Sequence, residues 1–505
     1  MDVRHEFGDF QTPPEFAEKV CSYLKNVLHL SPALILEPTC GVGNFLKASL
    51  VFGAKKYLGI ELNSKYCSIS RQKLSGMPAE IINADIFSFS LNNLLQDGKE
   101  VLILGNPPWI TTPSLSILDS SNAPVRENFK KMRGIDALTG SGAFDISESI
   151  ILKLAQEFAG KDAVMCFLCK TGVARDVFVE FRRRKIGFSN FYILNFDAKK
   201  VFGVSTAACV MAVQLSAADS FPDFCEVFDF SAPSVPVGRL VWDGEALRDS
   251  KADKNLYGRC ELEWREGVKH DCSKVMELSF DGKKFVNGLG EEVEIESELV
   301  FPLVKSSGFK LPVISQFSKY VIVTQKNLQE DSGCLEEKCP KAWAYLSSHR
   351  SMFDARKSSV YKRSTFPFSM FGIGKYSFAP YKVGISGFYK KPFFSLIMPE
   401  GGKPAMTDDT CYFLSFPSYP CAYTAMLLLN SGMVREFLES AAFLDSKRPW
   451  TKKVLSGISL AKAISLLDLS GFRAVEEELG LEHFITAEMI AGLKRFILED
   501  RPGMC

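Results

Sequence analysis

The chain of 505 residues is too long to fold around a single hydrophobic core, so we expect two large domains, or three. Its hydrophobic content of 46% and charged content of 24% are those of an ordinary soluble globular protein, and a net charge of +1 argues at first against a nucleic-acid partner. No apolar run is long enough to span a membrane, the N-terminal residues are not a secretory signal, and the 14 cysteines are scattered. These features predict a cytoplasmic protein with free thiols, and we expect no metal site.

The first predicted strand leads into a glycine turn. A buried strand begins at Ala33 and runs into residues 37–43 (EPTCGVG), which are followed by an apolar helical pattern. Gly41 and Gly43 let the backbone approach a ligand closely at the carboxyl edge of a parallel sheet. Such turns also occur as plain connections between a strand and a helix, so this turn is a weak signal by itself.

The second and third predicted strands each end on an acidic residue. The second covers residues 56–62 and carries Glu61, roughly 20 residues after the glycine turn, where a doubly wound nucleotide site places an acid on ribose hydroxyls. The third covers residues 79–85 and ends on Asp85, which can accept a hydrogen bond from the amino group of a bound adenine while Ile86 packs on its face. A solvated acid at a strand end is the alternative interpretation of Glu61 taken alone.

The fourth predicted strand, residues 101–105, delivers the tetrapeptide Asn106-Pro107-Pro108-Trp109. The amide oxygen of Asn106 and a neighbouring proline-region carbonyl can accept both hydrogens of an exocyclic amine, and the indole of Trp109 can cover the flat ring that carries the amine. The two prolines keep this backbone out of a helix and fix its direction. A proline-rich turn that ends a buried strand is the alternative interpretation.

Helical and strand patterns continue to alternate after this tetrapeptide. The predicted elements are a helix over 144–158, a strand over 162–170, a helix over 172–185, and strands over 191–196 and 206–215. This alternation predicts an α/β fold with a doubly wound, mostly parallel sheet that is covered on both faces. The loop before the last strand, which contains Phe202, is too short for a helical crossover, and this indicates an antiparallel end strand.

The second half of the chain contains a local excess of positive charge. Between residues 217 and 253 the pattern loosens into Ser, Asp and Pro, so we place a domain boundary near residue 235. Residues 350–391 are rich in cations and aromatic side chains and contain one acid, Asp354. This bias favours nucleic acid as a partner over a merely solvated face. The candidate contacts are Arg356, Lys357, Lys362 and Arg363 in this stretch, and Arg126, Lys130 and Lys131 in a second basic stretch.

The strand-end residues taken together resemble a known family. Residues 37–43, Glu61, Asp85 and 106–109 resemble the S-adenosylmethionine-dependent amino-methyltransferases, and specifically the gamma group of the DNA adenine-N6 methyltransferases, in which an N-terminal motif similar to residues 7–14 (FGDFQTPP) comes first. The resemblance implies a Rossmann-like catalytic domain of seven strands with an antiparallel last strand. It also implies a mixed α+β domain that recognises the DNA target. With our boundary, these domains are residues 1–235 and 236–505.

The resemblance also implies roles for individual residues. S-adenosylmethionine would be bound by Thr12, Pro13, Glu37, Pro38, Gly41, Gly43, Glu61, Asp85, Ile86 and Asn106. The tetrapeptide that begins at Asn106 would carry catalysis, while Trp109 and Phe202 would contact a target adenine that is extruded from double-stranded DNA. Arg265 and Lys269 would contact the DNA. A cognate restriction endonuclease would be a separate chain, and the expected oligomeric state is a monomer.

Other functions share parts of this pattern. RNA adenine-N6, DNA cytosine-N4 and protein-glutamine methyltransferases use related chemistry on an exocyclic or amide nitrogen. The basic and aromatic second half disfavours a protein substrate, whereas a structured RNA stays open. A non-enzymatic DNA-binding protein on a methyltransferase fold is disfavoured, because every position that the chemistry needs carries a competent residue.

Overall fold

In the computed structural model the chain divides after Ser250 into two units, residues 1–250 and 251–505. The structure describes residues 10–91, 100–110, 145–216, 221–244, 247–250, 254–358, 360–361, 364, 366–442 and 448–499. Each unit has its own sheet structure and its own buried core.

Strands and helices alternate along the first unit. Its strands are β1 (Leu34–Glu37), β2 (Lys56–Glu61), β3 (Ala79–Asn83), β4 (Val101–Gly105), β5 (Ala163–Lys170), β6 (Phe188–Phe196), β7 (Ala208–Leu215), β8 (Phe224–Asp229), β9 (Pro236–Trp242) and β10 (Leu247–Asp249). Its described helices are α1 (Pro14–Asn26), α2 (Asn44–Ser49), α3 (Ser64–Lys73), α4 (Ile146–Glu157), α5 (Thr171–Arg184) and α6 (Ala198–Phe202). Each strand and helix predicted from the sequence in this half is present, within a few residues of its predicted ends.

One sheet of ten strands runs through the first unit, in the order β10-β9-β8-β6-β7-β5-β4-β1-β2-β3. Strands β1 to β5 pair in parallel, whereas β7 is antiparallel to both of its neighbours, β5 and β6. The order in which the chain adds parallel strands to the sheet reverses between β1 and β4, because β2 and β3 lie on one side of this point and β5 on the other. Open α/β sheets bind ligands at the carboxyl ends of the strands at such a point. The sheet therefore has the predicted antiparallel β7, but it contains ten strands instead of seven.

The strands β8, β9 and β10 extend the sheet past the boundary that we placed at residue 235. Strand β8 pairs in parallel with β6, β9 pairs antiparallel with β8, and β10 pairs antiparallel with β9. A break at residue 235 would separate β9 from its partner β8. The loosened composition of this region therefore belongs to short strands and turns at one side of the sheet, and the units divide at Ser250 instead.

Helix α2 packs closely on the sheet beside the glycine turn. A Cβ atom on Gly59 of β2 would lie 2.8 Å from the side chain of Leu46 and 2.7 Å from that of Ile81, so a larger residue here would require these side chains to move. Val20 and Leu24 of α1 are fully buried in the same core. Burial of these apolar side chains holds both helices against the sheet and fixes the turn between β1 and α2 at its carboxyl edge.

The second unit contains shorter strands and more helices. Its strands are β11 (Arg265–Glu266), β12 (Glu277–Phe280), β13 (Phe285–Asn287), β14 (Glu292–Val293), β15 (Val300–Val304), β16 (Val313–Ile314), β17 (Lys319–Ile322), β18 (Tyr381–Ser386), β19 (Phe394–Ile397), β20 (Met406–Thr407) and β21 (Cys411–Phe416). Its described α-helices are α7 (Ser273–Met276), α8 (Leu335–Lys338), α9 (Pro340–Ser348), α10 (Arg350–Asp354), α11 (Tyr419–Asn430), α12 (Gly432–Ala441), α13 (Lys452–Leu455), α14 (Leu460–Leu466), α15 (Leu469–Glu478) and α16 (Ala487–Glu499).

Two sheets organise the second unit. One has five strands in the order β11-β21-β18-β19-β16, and the other has six in the order β14-β13-β12-β17-β15-β20. Helix α11 is buried along most of its length, and its last residue, Asn430, exchanges two hydrogen bonds with the backbone of Phe394 on β19, at 3.0 and 2.8 Å. Among the residues that the structure describes, no helix combines the length and the apolar character that a membrane crossing requires.

Candidate active site

The turn between β1 and α2 is fixed by a carboxylate from β2. Gly41 and Gly43 both adopt the left-handed backbone conformation that favours glycine, with φ of 51° and 76°. The Gly41 N–H donates to Oε2 of Glu61 at 2.8 Å, and Oε1 of Glu61 accepts from the N–H of Asn63 at 2.7 Å. These two bonds orient the Glu61 carboxylate at the carboxyl edge of the sheet, and a carboxylate oxygen can accept more than one hydrogen bond.

The segment before α1 lies against the glycine turn. The side-chain oxygen of Gln11 accepts from the N–H of Val42 at 3.1 Å, and the amide of Asn44 donates to the carbonyl of Thr12 at 2.7 Å. Thr12 is buried, and Pro13 immediately precedes the first residue of α1. The structure therefore brings the predicted Thr-Pro segment to the glycine turn.

Glu37 faces the interior rather than the open edge of the sheet. Its side chain is buried together with that of Pro38, and its Oε2 accepts from the N–H of Leu46 at 3.1 Å. Burial raises the pKa of the Glu37 carboxyl well above its usual value, and the Leu46 N–H opposes this rise. Glu37 thus ties β1 to the first turn of α2. This placement favours a supporting role for Glu37 over the direct cofactor contact that the resemblance implies.

Asp85 and Glu61 stand at the ends of neighbouring strands. Asp85 follows the end of β3, is exposed, and accepts from the N–H of Phe87 at 2.9 Å. Ile86 beside it is buried. The side chain of Asn83 donates to the carbonyl of Glu61 at 2.8 Å and so links the ends of β3 and β2. The two predicted acids therefore lie along the same edge of the sheet.

The side chain of Asn106 is anchored through its nitrogen. Its Nδ2 donates to the backbone carbonyl of Phe10 at 2.8 Å. Because that carbonyl can only accept, the amide nitrogen must face it, and Oδ1 must face the opposite way. Oδ1 is buried, and no hydrogen-bond donor reaches it from the described residues. A buried acceptor without a donor costs free energy, so this oxygen is suited to an N–H group of a ligand.

Three aromatic rings meet beside Asn106. The ring centroid of Trp109 lies 5.3 Å from that of Phe202 and 5.9 Å from that of Phe10, and the three rings are tilted against one another. The indole N–H of Trp109 donates to the carbonyl of Leu168 at 3.3 Å, which fixes the ring. The structure thus brings the predicted Trp109 and Phe202 together, although Phe202 lies in helix α6 rather than in a loop. Sequence reasoning gave no role to Phe10.

Lys170, the last residue of β5, fixes the backbone of the tetrapeptide. Its Nζ donates to the carbonyl of Trp109 at 3.1 Å and pairs with Oδ2 of Asp145 at 2.6 Å. Asp145 also accepts from the N–H of Ser147 at 3.1 Å at the start of α4. Sequence reasoning missed this pair, and the available signal was a lysine at the end of an otherwise fully buried strand.

The donors and acceptors at this edge fit S-adenosylmethionine. Thr39 Oγ1, in the glycine turn, is buried and without a hydrogen-bond partner in the described part of the chain. Two hydrogen bonds fix the Glu61 carboxylate, which could accept from a ribose hydroxyl, and the exposed Asp85 could accept from an amino group. The sequence gave no reason to choose Thr39, because its importance depends on the burial of its hydroxyl.

The basic stretch of residues 350–391 differs from the expected surface of cations on aromatic rings. Arg356 donates to three backbone carbonyls, at 2.8, 3.0 and 3.3 Å, and its guanidinium lies 3.8 Å from the ring centroid of Tyr361. Tyr361 and Phe368 are buried, so these aromatics are core residues. Arg356 is therefore engaged in packing and is a poor candidate for a phosphate contact. Lys357 is exposed and stays a candidate.

The remaining predicted DNA contacts divide into two groups. Those outside the described residues are Arg126, Lys130, Lys131, Lys362 and Arg363. In the second unit, Arg265 of β11 pairs with Glu263 and stacks on the ring of Tyr376 at 4.4 Å. The ammonium of Lys269 lies 3.4 Å from each of two carboxylates. Arg265 and Lys269 are both partly exposed, so both stay candidates.

Comparison with known proteins gives a long match. No family model matches the chain. The chain is 39% identical over 468 residues to the Type II methyltransferase M.NspV of Nostoc sp. (strain ATCC 29411 / PCC 7524), and the match covers 90% of this chain and 96% of that protein. It is 24% identical over 180 residues to the modification methylase CviBIII of Paramecium bursaria Chlorella virus NC1A, over 35% of this chain and 42% of that protein.

Among solved structures, the chain is similar to the type IIG restriction endonuclease BpuSI, with 12% identity, 97% of this chain and 66% of that chain covered, and a TM-score of 0.34. The identity to M.NspV and the coverage of both chains are high enough to establish relationship. The chain belongs to the type II methyltransferase family. Its activity is the transfer of a methyl group, and the strand-end site of the first unit is the candidate place for that chemistry.

Proposed function

We propose that the protein transfers the methyl group of S-adenosylmethionine to N6 of an adenine that is extruded from a specific sequence of double-stranded DNA. The observation that carries this proposal is the amide of Asn106. Its nitrogen donates to the backbone carbonyl of Phe10. Its buried oxygen has no hydrogen-bond donor among the described residues and belongs to a segment that also carries a ring of the aromatic cluster. An exocyclic amine on a flat ring is the ligand that satisfies both features.

The chemistry follows from the properties of the amine. The lone pair of adenine N6 is delocalised into the ring, so the nitrogen is a weak nucleophile while its hydrogens lie in the ring plane. Asn106 Oδ1 and the carbonyl of Pro107 would accept the two hydrogens and turn the lone pair toward the methyl group. Positioning and preorganised acceptors then supply most of the acceleration. The methylated nitrogen becomes acidic as the new N–C bond forms, so its proton can leave afterwards without a strong base.

Residues around the glycine turn would hold the cofactor. When it is bound, S-adenosylmethionine would supply a methyl group on a sulfonium centre, whose sulfur keeps the electron pair of the broken S–C bond and leaves as a neutral thioether. Glu61 would accept from the ribose hydroxyls and Asp85 from the adenine amino group, while the hydroxyl of Thr39 would bind a further polar group. Gln11 and Thr12 contact the glycine turn and would close the site on that side.

The target base would lie against the aromatic cluster of Phe10, Trp109 and Phe202. An adenine inside a duplex cannot reach Asn106, so the base must leave the helix before reaction. Lys170 donates to the carbonyl of Trp109 and therefore fixes the backbone that carries both Trp109 and Asn106. The choice of DNA as the substrate accords with the relatives, which are named a type II methyltransferase and a modification methylase. Protection of DNA against an endonuclease on a separate chain would be the biological role.

The proposal is tested by mapping methylated bases in DNA from a host that expresses the full chain. We expect N6-methyladenine within one short sequence motif, and no such mark with the Asn106→Ala variant. Nucleoside mass spectrometry of the same DNA distinguishes the outcomes. N4-methylcytosine in place of N6-methyladenine would contradict the choice of base, and methylated RNA with unmodified DNA would contradict the choice of substrate.

A further inference from the structure

A cavity of about 570 Å³ in the second unit carries charged side chains of both signs. Its lining includes Lys269, Asp271, Lys305 and Asp409. Because acidic groups accompany the lysines, the cavity is poorly suited to a phosphate, which would meet like charge. A ligand that presents donors and acceptors side by side is better matched, and we call this space the Lys269 cavity.

The backbone that carries Lys269 is held from both sides. On one side, the Val268 N–H donates to the carbonyl of Thr407 at 2.7 Å. On the other, Lys269 and Phe371 exchange two backbone hydrogen bonds of 2.8 Å. A Cβ atom on Gly267 would lie 2.3 Å from the Thr407 carbonyl oxygen, so only glycine allows this close approach. Lys269 therefore projects from a rigid support, as a residue that reads a ligand should.

The ammonium of Lys269 lies between two carboxylates and makes only long contacts with them. Its Nζ lies 3.4 Å from Oδ1 of Asp271 and 3.4 Å from Oδ2 of Asp409, whereas a strong charge-assisted hydrogen bond measures about 2.7–2.9 Å. Lys305 in the same cavity differs, because it bonds both oxygens of Glu277, at 2.9 and 2.8 Å. Lys269 thus retains donor capacity for a ligand, while Lys305 is engaged with its partner.

Asp409 is presented by a short, braced connection between β20 and β21. The neighbouring Asp408 accepts from the Thr410 N–H at 3.1 Å and closes a turn around Asp409. Arg448 donates to the backbone carbonyl of Asp409 at 3.3 Å. The Asp409 side chain is 33% exposed, so it can accept from a ligand while its backbone stays fixed.

We propose that the Lys269 cavity reads one G·C base pair of the target sequence. Lys269 would donate to O6 and N7 of guanine, and Asp409 would accept from N4 of the cytosine in that pair. Two donors of one ammonium beside one acceptor match the major-groove edge of a G·C pair, which presents two acceptors and then a donor, whereas an A·T pair presents acceptor, donor and acceptor. The inference rests on the proposed function, because it requires duplex DNA as the substrate.

The test measures kcat/KM for methylation of duplexes in which each base pair of the mapped motif is exchanged in turn. With the wild-type chain, exchange of the G·C pair should lower kcat/KM by about ten- to a hundredfold. Lys269→Met and Asp409→Ala should each lose this discrimination at the same G·C pair and keep it at the other positions. The control is Lys284→Met, which removes an exposed lysine paired with Glu292 outside the cavity and should keep full discrimination.

An atomic substitution in the DNA isolates the lysine contact. Replacing the guanine by 7-deazaguanine removes N7 and should weaken the wild-type reaction by up to tenfold, but should not weaken that of Lys269→Met. If Lys269→Met does not fold, Asp409→Ala carries the same test, and Lys269→Arg, which keeps a donor, should retain the discrimination at the G·C pair. Unchanged discrimination in Lys269→Met or Asp409→Ala, a loss spread evenly over all positions, or a motif without a G·C pair overturns the inference and leaves the proposed function intact. Absence of any DNA methylation by the wild-type chain overturns both.

Discussion

The candidate active site and the Lys269 cavity offer ligands opposite kinds of chemistry. Among the described residues of the active site, the buried polar atoms without a hydrogen-bond partner are neutral oxygens, Thr39 Oγ1 and Asn106 Oδ1. In the Lys269 cavity, the ammonium of Lys269 is charged and already faces two carboxylates, at distances too long for strong hydrogen bonds. The first arrangement is suited to a neutral amine held in one orientation. The second can exchange a weak internal contact for a ligand contact at little cost, which suits discrimination between similar ligands.

The largest expected effect concerns Asn106, whose side-chain oxygen is the neutral acceptor of the active site. Asn106→Ala should lower the single-turnover rate of methyl transfer by about two to three orders of magnitude, because it removes a preorganised contact to the reacting amine. Calorimetric titration should show nearly unchanged affinity for S-adenosylmethionine. Asn26→Ala, at the exposed end of α1, is the matched control. A rate within a few-fold of wild type would refute the proposed role of Asn106.

The free energy of unfolding should depend on pH through His270, which is buried in the lining of the Lys269 cavity. Burial and the nearby ammonium of Lys305 lower the pKa of His270 to about 4, against the opposing effect of Asp271 and Asp409. The unfolded chain therefore binds more protons than the folded chain below pH 6.5. The contribution of His270 to stability is complete above that pH and falls between about pH 6.5 and 4, by at most about 3 kcal/mol.

Urea unfolding of the wild-type chain and of His270→Gln, at several pH values, measures this effect as a difference. The difference in the free energy of unfolding between the two proteins should change by about 3 kcal/mol or less over that interval and become constant below it. If the difference is independent of pH, His270 is hydrated in the folded chain and the floor of the cavity is wet.

The next prediction concerns the affinity for S-adenosylmethionine, which should depend on the two acids at the sheet edge, Glu61 and Asp85. Glu61→Ala should raise the dissociation constant for S-adenosylmethionine by about ten- to a hundredfold, because an oriented acceptor is lost. Asp85→Ala should have a smaller effect, since Asp85 is exposed and competes with water. Glu80→Ala, on the exposed side of β3, is the control and should leave calorimetric titrations unchanged. Equal affinities for all four proteins would contradict the cofactor assignment.

The smallest expected effects concern residues 350–391, where Arg356 is a packing residue and Lys357 is an exposed cation. Arg356→Met should lower the free energy of unfolding by about 1–3 kcal/mol, because three partly buried backbone carbonyls lose their donor. Lys357→Met should change stability by less than about 0.5 kcal/mol. If Lys357 contacts a phosphate, its loss should reduce the slope of log affinity against log salt by roughly 0.9. If Lys357→Met lowers the free energy of unfolding more than Arg356→Met does, Arg356 is not a packing residue and becomes a candidate for a phosphate contact again.

The first unit was predictable because its information is local. In a parallel sheet, the carboxyl ends of the strands lie at one edge, so Glu61, Asp85 and Asn106 could be brought together from strand positions alone. The same reasoning could not find Phe10, Thr39 or Lys170. Their importance depends on a carbonyl direction or a buried hydroxyl, and these are set by tertiary packing.

The second unit was harder because its surfaces are assembled from distant segments. The composition of residues 350–391 predicted a basic face, yet Tyr361 and Phe368 are buried, and Arg356 serves the backbone around them. The Lys269 cavity joins residues from near 270 with residues from near 409, and no periodicity in either segment predicts that they meet. Lys269 itself was singled out only through resemblance to related recognition domains.

The ten-stranded sheet of the first unit has consequences for self-association. Its outermost strands are β3 and β10, and an unpaired edge strand is a template for another copy of the chain. Strand β10 is three residues long and carries Arg248 and Asp249. On the other side, β3 carries the exposed Glu80, which lies 3.5 Å from Lys56. A short strand and charged side chains both oppose pairing between copies, so the edges of this sheet protect the enzyme against aggregation at high concentration.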